Sequence, residues 1–253
     1  MKTFARWIAL FVLAGCALEV FFIARIALAA TLNPESTTFQ RSEAVRIERD
    51  KGQLRWSQEW VPYAQISDNL KRAVIASEDD SFVNHDGVDW EALEKAWDKN
   101  QKAEERAAKQ QARVNTATKA TSRPTPQPKP AKVVGGSTIT QQLAKNLLLS
   151  GERTLLRKGQ EIVLTFAIEK LMSKERILEI YLNSVEWGEG VFGAEAASRH
   201  YFRKSASQLT PYEAARLAVM LPRPKYFEKV PNSGYLASRA SVIEGRMHSA
   251  ELP

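Results

Sequence analysis

The stretch Ala73–Asp89, AVIASEDDSFVNHDGVD, contains a conflict around which the rest of the chain can be arranged. Leu70, Ala73 and Val74 share one face at helical spacing and Ser67 stands where an N-cap belongs, so a helix is expected to run into this stretch. Glu78, Asp79 and Asp80 then place carboxylates where the helix C-terminus already carries partial negative charge. Breaks of a local rule concentrate at functional sites. The acids form either a solvated turn or a site in which Glu78, held at the end of a rigid helix, faces a cleft as general acid or base.

Two further stretches bear on that choice. Gly135–Asn146 reads GGSTITQQLAKN, and Arg157–Asn183 reads RKGQEIVLTFAIEKLMSKERILEIYLN. With Glu78, Asp79, Phe82, His85 and Gly87 in the pattern E-D-x-x-F-x-x-H-x-G, they resemble in order and spacing the motifs of the family 51 peptidoglycan glycosyltransferases, in particular the monofunctional biosynthetic transglycosylases of Gram-negative bacteria. The resemblance spans Val61 to Pro224 with one interruption. It implies a mainly α, lysozyme-like glycosyltransferase domain, preceded here by one N-terminal transmembrane helix.

The resemblance also implies a reaction and its residues. The reaction is polymerisation of lipid II, in which a sugar 4-hydroxyl attacks the anomeric carbon of the growing strand with inversion and releases undecaprenyl pyrophosphate. A sugar hydroxyl needs a carboxylate to take its proton, and Glu78 corresponds to that base. Glu161 corresponds to the family's second glutamate, which orients substrate; a plain ion pair to Arg157 or Lys158 one turn back is compatible with that role. The leaving pyrophosphate calls for preorganised cations, and Lys145 and Arg153 correspond to those. Ser137, Thr138, Gln141, Gln142, Asn146, Arg157 and Lys158 complete the expected pyrophosphate and sugar contacts. Asp79 is expected to order the loop or to help place a divalent cation, Mg2+ or Mn2+; no cofactor is required. Phe82 and His85 are expected to pack the loop, and Asn183, Gly188, Gly190 and Gly193 to serve the structure.

Residues 1–30 form an expected cytoplasmic tip and signal-anchor, with Lys2 and Arg6 ahead of an apolar run from Trp7 to Ala24 broken only by Glu19. Eighteen helical residues rise roughly 27 Å, close to the hydrocarbon thickness of about 30 Å. The Ile, Leu, Val and Phe of the run outweigh the roughly 3 kcal/mol penalty of one acid. Basic residues at the start keep that end cytoplasmic and place the rest in the periplasm, which predicts a single-pass protein of the cell inner membrane. Cleavage after Ala27-Leu28-Ala29, or lipidation at Cys16 within Leu13-Ala14-Gly15-Cys16, are the rival interpretations.

The 253 residues leave room for one such segment and one medium-sized domain. No S-x-x-K occurs, so a penicillin-sensitive transpeptidase nucleophile is not expected. The lone Cys16 excludes an intrachain disulfide, and His85, His200 and His248 lack metal-ligand spacing. The net charge is +7, and the segment Lys95–Lys132, with ten basic and three acidic residues, accounts for all of it. A basic insert next to an anionic membrane surface explains this better than nucleic-acid binding. Expected partners are therefore lipid II, the growing strand and the inner membrane, with division or elongation proteins as further possibilities.

Four more boundaries are expected: a periplasmic tether over residues 31–60, a glycosyltransferase domain over 61–230, a basic Pro-rich insert at about 99–133, and a C-terminal tail over 231–253. The insert should start as a helix from Glu91 to about Asn115 and lose it over Thr116–Pro130, where Pro124, Pro126, Pro128 and Pro130 alternate. The helix after Arg153 is expected to be buried nearly all round, with a polar stripe at Arg157, Glu161, Thr165 and Glu169. Two other functions fit a membrane-tethered α domain: a lytic murein enzyme using one glutamate as acid, and a scaffold whose insert is the working part.

Overall fold

The computed structural model describes residues 2–121, 136–149 and 154–253. Eleven α-helices appear among them: α1 Lys2–Thr31, α2 Thr38–Lys51, α3 Asp68–Glu78, α4 Trp90–Thr121, α5 Ile139–Leu148, α6 Leu155–Leu171, α7 Lys174–Ser184, α8 Ala194–Phe202, α9 Pro211–Met220, α10 Pro224–Lys229 and α11 Gly234–Arg246. Short strands β1 Ser57–Gln58, β2 Glu186–Gly188 and β3 Val191–Phe192 form one sheet in the order β1-β3-β2. The mainly α expectation holds. The chain divides into two compact units, one of residues 1–88 and 138–253, the other Asp89–Ser137.

Capping explains where the helices of the first unit begin. Ser67 accepts from Asn69 N at the start of α3, and Ser173 from Arg176 N at the start of α7. Thr138 with Gln141, and Thr210 with Glu213, form reciprocal capping boxes at α5 and α9. The core gathers fully buried Leu70, Val74, Leu143, Leu178, Tyr181 and Trp187, and α3 packs on α9 and α11.

Two expected boundaries and one expected burial pattern are corrected. The supposed tether contains α2, opened by a Thr37–Gln40 capping box and closed by Gly52 at φ +67. Ile47 of α2 is fully buried, and Gln40 donates to Ser184 O, so this helix is part of the domain. The supposed C-terminal tail contains α11, whose Leu236, Ala240 and Ile243 are buried against the core, as is Met247 just after it. Finally, α6 is not buried all round: Leu156, Val163, Phe166 and Leu171 are exposed, because none of the described elements covers that face.

Helix α1 is long and apolar enough to cross a membrane. Its C-terminal third joins the domain through Phe22, Ile26 and Ala29, which are buried. Arg176 of α7 holds this end, donating from Nε and Nη2 to Ala29 O at 3.0 and 2.9 Å and from Nη2 to Leu32 O at 2.8 Å. These are carbonyls that a helix terminus leaves without intrahelical partners. In the second unit, Asp89 Oδ1 accepts from Ala92 N at the start of α4. The helix persists to Thr121, past the expected end near Asn115, and the alternating prolines lie outside the described residues.

Candidate active site

Glu78 is the last residue of α3, and the chain leaves the helix through Asp79, whose backbone (φ −164, ψ 74) is no longer helical. The concentration of acids at this C-terminus is resolved by the neighbouring helix. One oxygen of Asp79 accepts from Ile139 N at 2.9 Å, at the positive end of α5, and the other meets His85 Nε2 at 2.8 Å. His85 Nδ1 accepts from Gly87 N at 3.1 Å, so Nε2 carries the proton and donates to Asp79. Lys174 Nζ then ties His85 O to Glu169. Gly87, at φ +90, lies so close to α6 that a Cβ would stand 2.6 Å from a Thr165 methyl group.

The docked α5 presents Gln142 to Glu78. Gln142 Nε2 donates to Glu78 Oε2 at 3.0 Å, while its Oε1 accepts from the buried Tyr181 hydroxyl at 3.0 Å, which fixes the amide's orientation. Burial pushes the Glu78 carboxyl above the ordinary carboxylate range; the Gln142 hydrogen bond opposes that, Asp79 adds to it, and the Lys145 charge opposes it. A carboxylate of raised pKa is a stronger base than a solvated one.

Beside this pair lies a cleft of about 310 Å³, lined by Gln142, Lys145 and Asn146 of α5, Arg157 of α6 and Glu186 of β2, with apolar walls including Phe39 and Leu221. Arg157 Nη1 donates to Glu161 at 3.0 Å, and Lys158 Nζ reaches the other oxygen of Glu161 at 2.5 Å. Arg157 Nε is buried without a hydrogen-bond partner among the described residues. Glu161, itself buried, therefore anchors the cation that enters the cleft. Apart from that Arg157 Nε, the polar stripe of α6 is paired: Thr165 donates to Glu161 O, and Glu169 receives Lys174 and Thr140.

A family model described as Transglycosylase matches residues 47–123 and 112–248. The chain belongs to the transglycosylase family. A "Biosynthetic peptidoglycan transglycosylase" of Paraburkholderia xenovorans (strain LB400) is 49% identical over 253 residues, covering 98% of this chain and 94% of the relative. One of Herminiimonas arsenicoxydans, with the same name, is 48% identical over 236 residues, 93% and 91% of the two chains. The two matched segments of this transglycosylase overlap inside the basic insert, where the motif order is interrupted.

The structure sorts the expected residues. Glu78, Gln142, Lys145, Asn146, Arg157, Lys158 and Glu161 come together at or behind the cleft. Thr138 and Gln141 do not line it: they cap α5, and the Thr138 hydroxyl donates to Gly87 O at 2.6 Å. Ser137 is exposed and belongs to the second compact unit, while Gly135 and Arg153 lie outside the described residues. Both oxygens of Asp79 are engaged, on Ile139 N and His85, which matches the loop-ordering role, and no cluster of three acidic, His or Cys side chains occurs among the described residues. Asn183 of α7 pins the segment ahead of α3 by a paired bond to Val61 N and O, 2.9 Å each. Tyr181 and Glu186 are the site residues that the motifs do not single out. Glu186 stands in a V-E-W-G run that reads as ordinary strand sequence, and its environment comes from distant elements.

Proposed function

We infer that this peptidoglycan glycosyltransferase polymerises lipid II, with Glu78 as the general base that takes the proton of the attacking sugar hydroxyl. The observation that carries this is the Gln142-held, largely desolvated carboxyl of Glu78 next to a cleft furnished with Lys145 and Arg157. Attack at the anomeric carbon from the face opposite the pyrophosphate inverts it, so the base and the leaving-group cations belong at different places along one cleft. Lys145 supplies a compact charge, and Arg157 a planar guanidinium preset by Glu161, both suited to phosphate oxygens. Arg153 joins them in this scheme on the strength of its motif position. Transition-state charge on the pyrophosphate is stabilised by cations already in place.

A lytic enzyme acting on finished strands has no use for a phosphate site, and the preset Arg157 favours the polymerase. In this scheme α1 anchors the chain in the inner membrane with the domain on the periplasmic side, where lipid II and the growing strand both remain membrane-linked. A divalent cation, Mg2+ or Mn2+, enters the proposal only as a companion of the substrate's phosphates, and partners in division or elongation belong to the same proposal. The test is to incubate the full-length protein in detergent with labelled lipid II, and separately with finished glycan strands. Long strands with release of undecaprenyl pyrophosphate support the assignment; cleavage of finished strands without polymerisation overturns it.

A further inference from the structure

The polymerase scheme leaves one polar wall of the cleft without work. Glu186 is 6% exposed, sits in the short sheet and lines the cleft, yet its Oε1 is buried with no hydrogen-bond partner among the described residues. The nearest cation is Lys225 of α10, whose Nζ is 3.4 Å from Oε1, an ion-pair distance that makes no hydrogen bond. Lys225 is already committed to Glu43 of α2, and Arg46 of the same helix is shared between Glu43 and Glu189. Glu228, the one acid of α10, accepts from Glu189 N. Glu186 is thus left under-satisfied by every charged group packed around it, and a buried acceptor without a bond is costly.

The same cleft also carries the cations Lys145 and Arg157 and the amides of Gln142 and Asn146. A phosphate placed against the cations cannot also rest on a carboxyl. A neutral hydrogen-bond donor can. We propose that Glu186 is a substrate-binding residue whose carboxylate accepts a hydrogen bond from a hydroxyl or acetamido N–H of the sugar seated in this cleft. The proposal rests on the assignment of the cleft as the polymerisation site. It also gives the unusual acidity of the group a use: burial pushes Glu186 up to about 7 against the pull of Lys225, so its binding-competent form appears across the neutral range.

The alternative is a carboxyl that only braces Lys225, and pH separates the two. Binding of a fluorescent lipid II is measured in detergent between about pH 5.5 and 8.5, using full-length Glu78→Gln to stop turnover and remove the titration of Glu78. Expected is an affinity that rises about tenfold through neutral pH, and a Glu78→Gln/Glu186→Gln protein that binds about tenfold more weakly at pH 8 with a flat profile, since a hydrogen bond to a charged group supports that much discrimination. Lys225→Met in the Glu78→Gln background guards against misfolding: it removes the brace, keeps Glu186, and should retain the pH-dependent limb with its midpoint moved upward. Unchanged affinity and pH profile in the Glu186→Gln protein overturn the proposal, as does a Lys225→Met protein that reproduces the flat profile. If Glu78→Gln alone binds no lipid II at any pH, the cleft assignment itself has failed.

Discussion

Replacing Asp79 by Asn tests how α5 is docked against the end of α3. The carboxylate accepts from Ile139 N and from His85 Nε2, and His85 Nδ1 accepts from Gly87 N. An asparagine that keeps its oxygen on Ile139 N must turn its NH2 toward a nitrogen that already carries a hydrogen. Moving the histidine proton to Nδ1 only transfers the conflict to Gly87 N–H. One donor is left facing a donor, and a buried negative charge at the α5 N-terminus is lost, together about 2–4 kcal/mol. At about 2–4 °C per kcal/mol for a domain of this size, the melting temperature should fall by roughly 5–15 °C. Thermal unfolding of the detergent-solubilised protein measures this, alongside His85→Ala and the double variant. Because His85→Ala removes the opposing donor, the pair should couple by more than about 1 kcal/mol. An Asp79→Asn protein within about 0.5 kcal/mol of wild type, or strictly additive variants, refutes the docking argument.

Other positions give independent checks. Leu236→Ala or Ile243→Ala in α11 should each cost about 2–5 kcal/mol in chemical denaturation, because both side chains are fully buried, whereas a true tail would tolerate them. Gly190→Ala should abolish soluble folded protein: the residue sits at φ +75, and a Cβ would meet Arg55 O at 2.1 Å. Arg176→Met should free the end of α1 and speed limited proteolysis over residues 32–37 several-fold, with the domain's own unfolding little changed. For Glu186, moving a carboxyl from 4.5 to about 7 costs its ionised form about 3 kcal/mol. That penalty is absent below about pH 4.5 and complete above about 7. Glu186→Gln should therefore gain stability relative to wild type as pH rises through that window, as read by melting temperature against pH.

Much of the first unit is legible in local chemistry. Ser67, Thr138, Ser173 and Thr210 announce their helices because a cap needs only residues within three positions. Glu78, Gln142, Lys145 and Arg157 are legible as a set through motif order, although the Gln142 to Glu78 bond joins residues 64 apart and no local pattern encodes it. Helix α2 is hidden by its charge: few apolar residues mark its face, yet Thr37-x-x-Gln40 and Gly52 are start and stop signals that reveal it. The buried positions of α11, Leu236, Ala240 and Ile243, have helical spacing that fits a core helix better than a tail. Glu186 is not legible at all. Its acidity depends on burial and on Lys225 and Glu43, residues contributed by two other helices.

The central claim is that Glu78 takes the proton of the attacking hydroxyl. Its most direct test is the rate of labelled lipid II polymerisation by full-length wild type and Glu78→Gln, with lipid II binding and melting temperature measured on the same preparations. Loss of at least about 10²-fold in rate, with binding retained and melting temperature equal or raised, is the predicted result. A Glu78→Gln protein that polymerises within a few fold of wild type contradicts it.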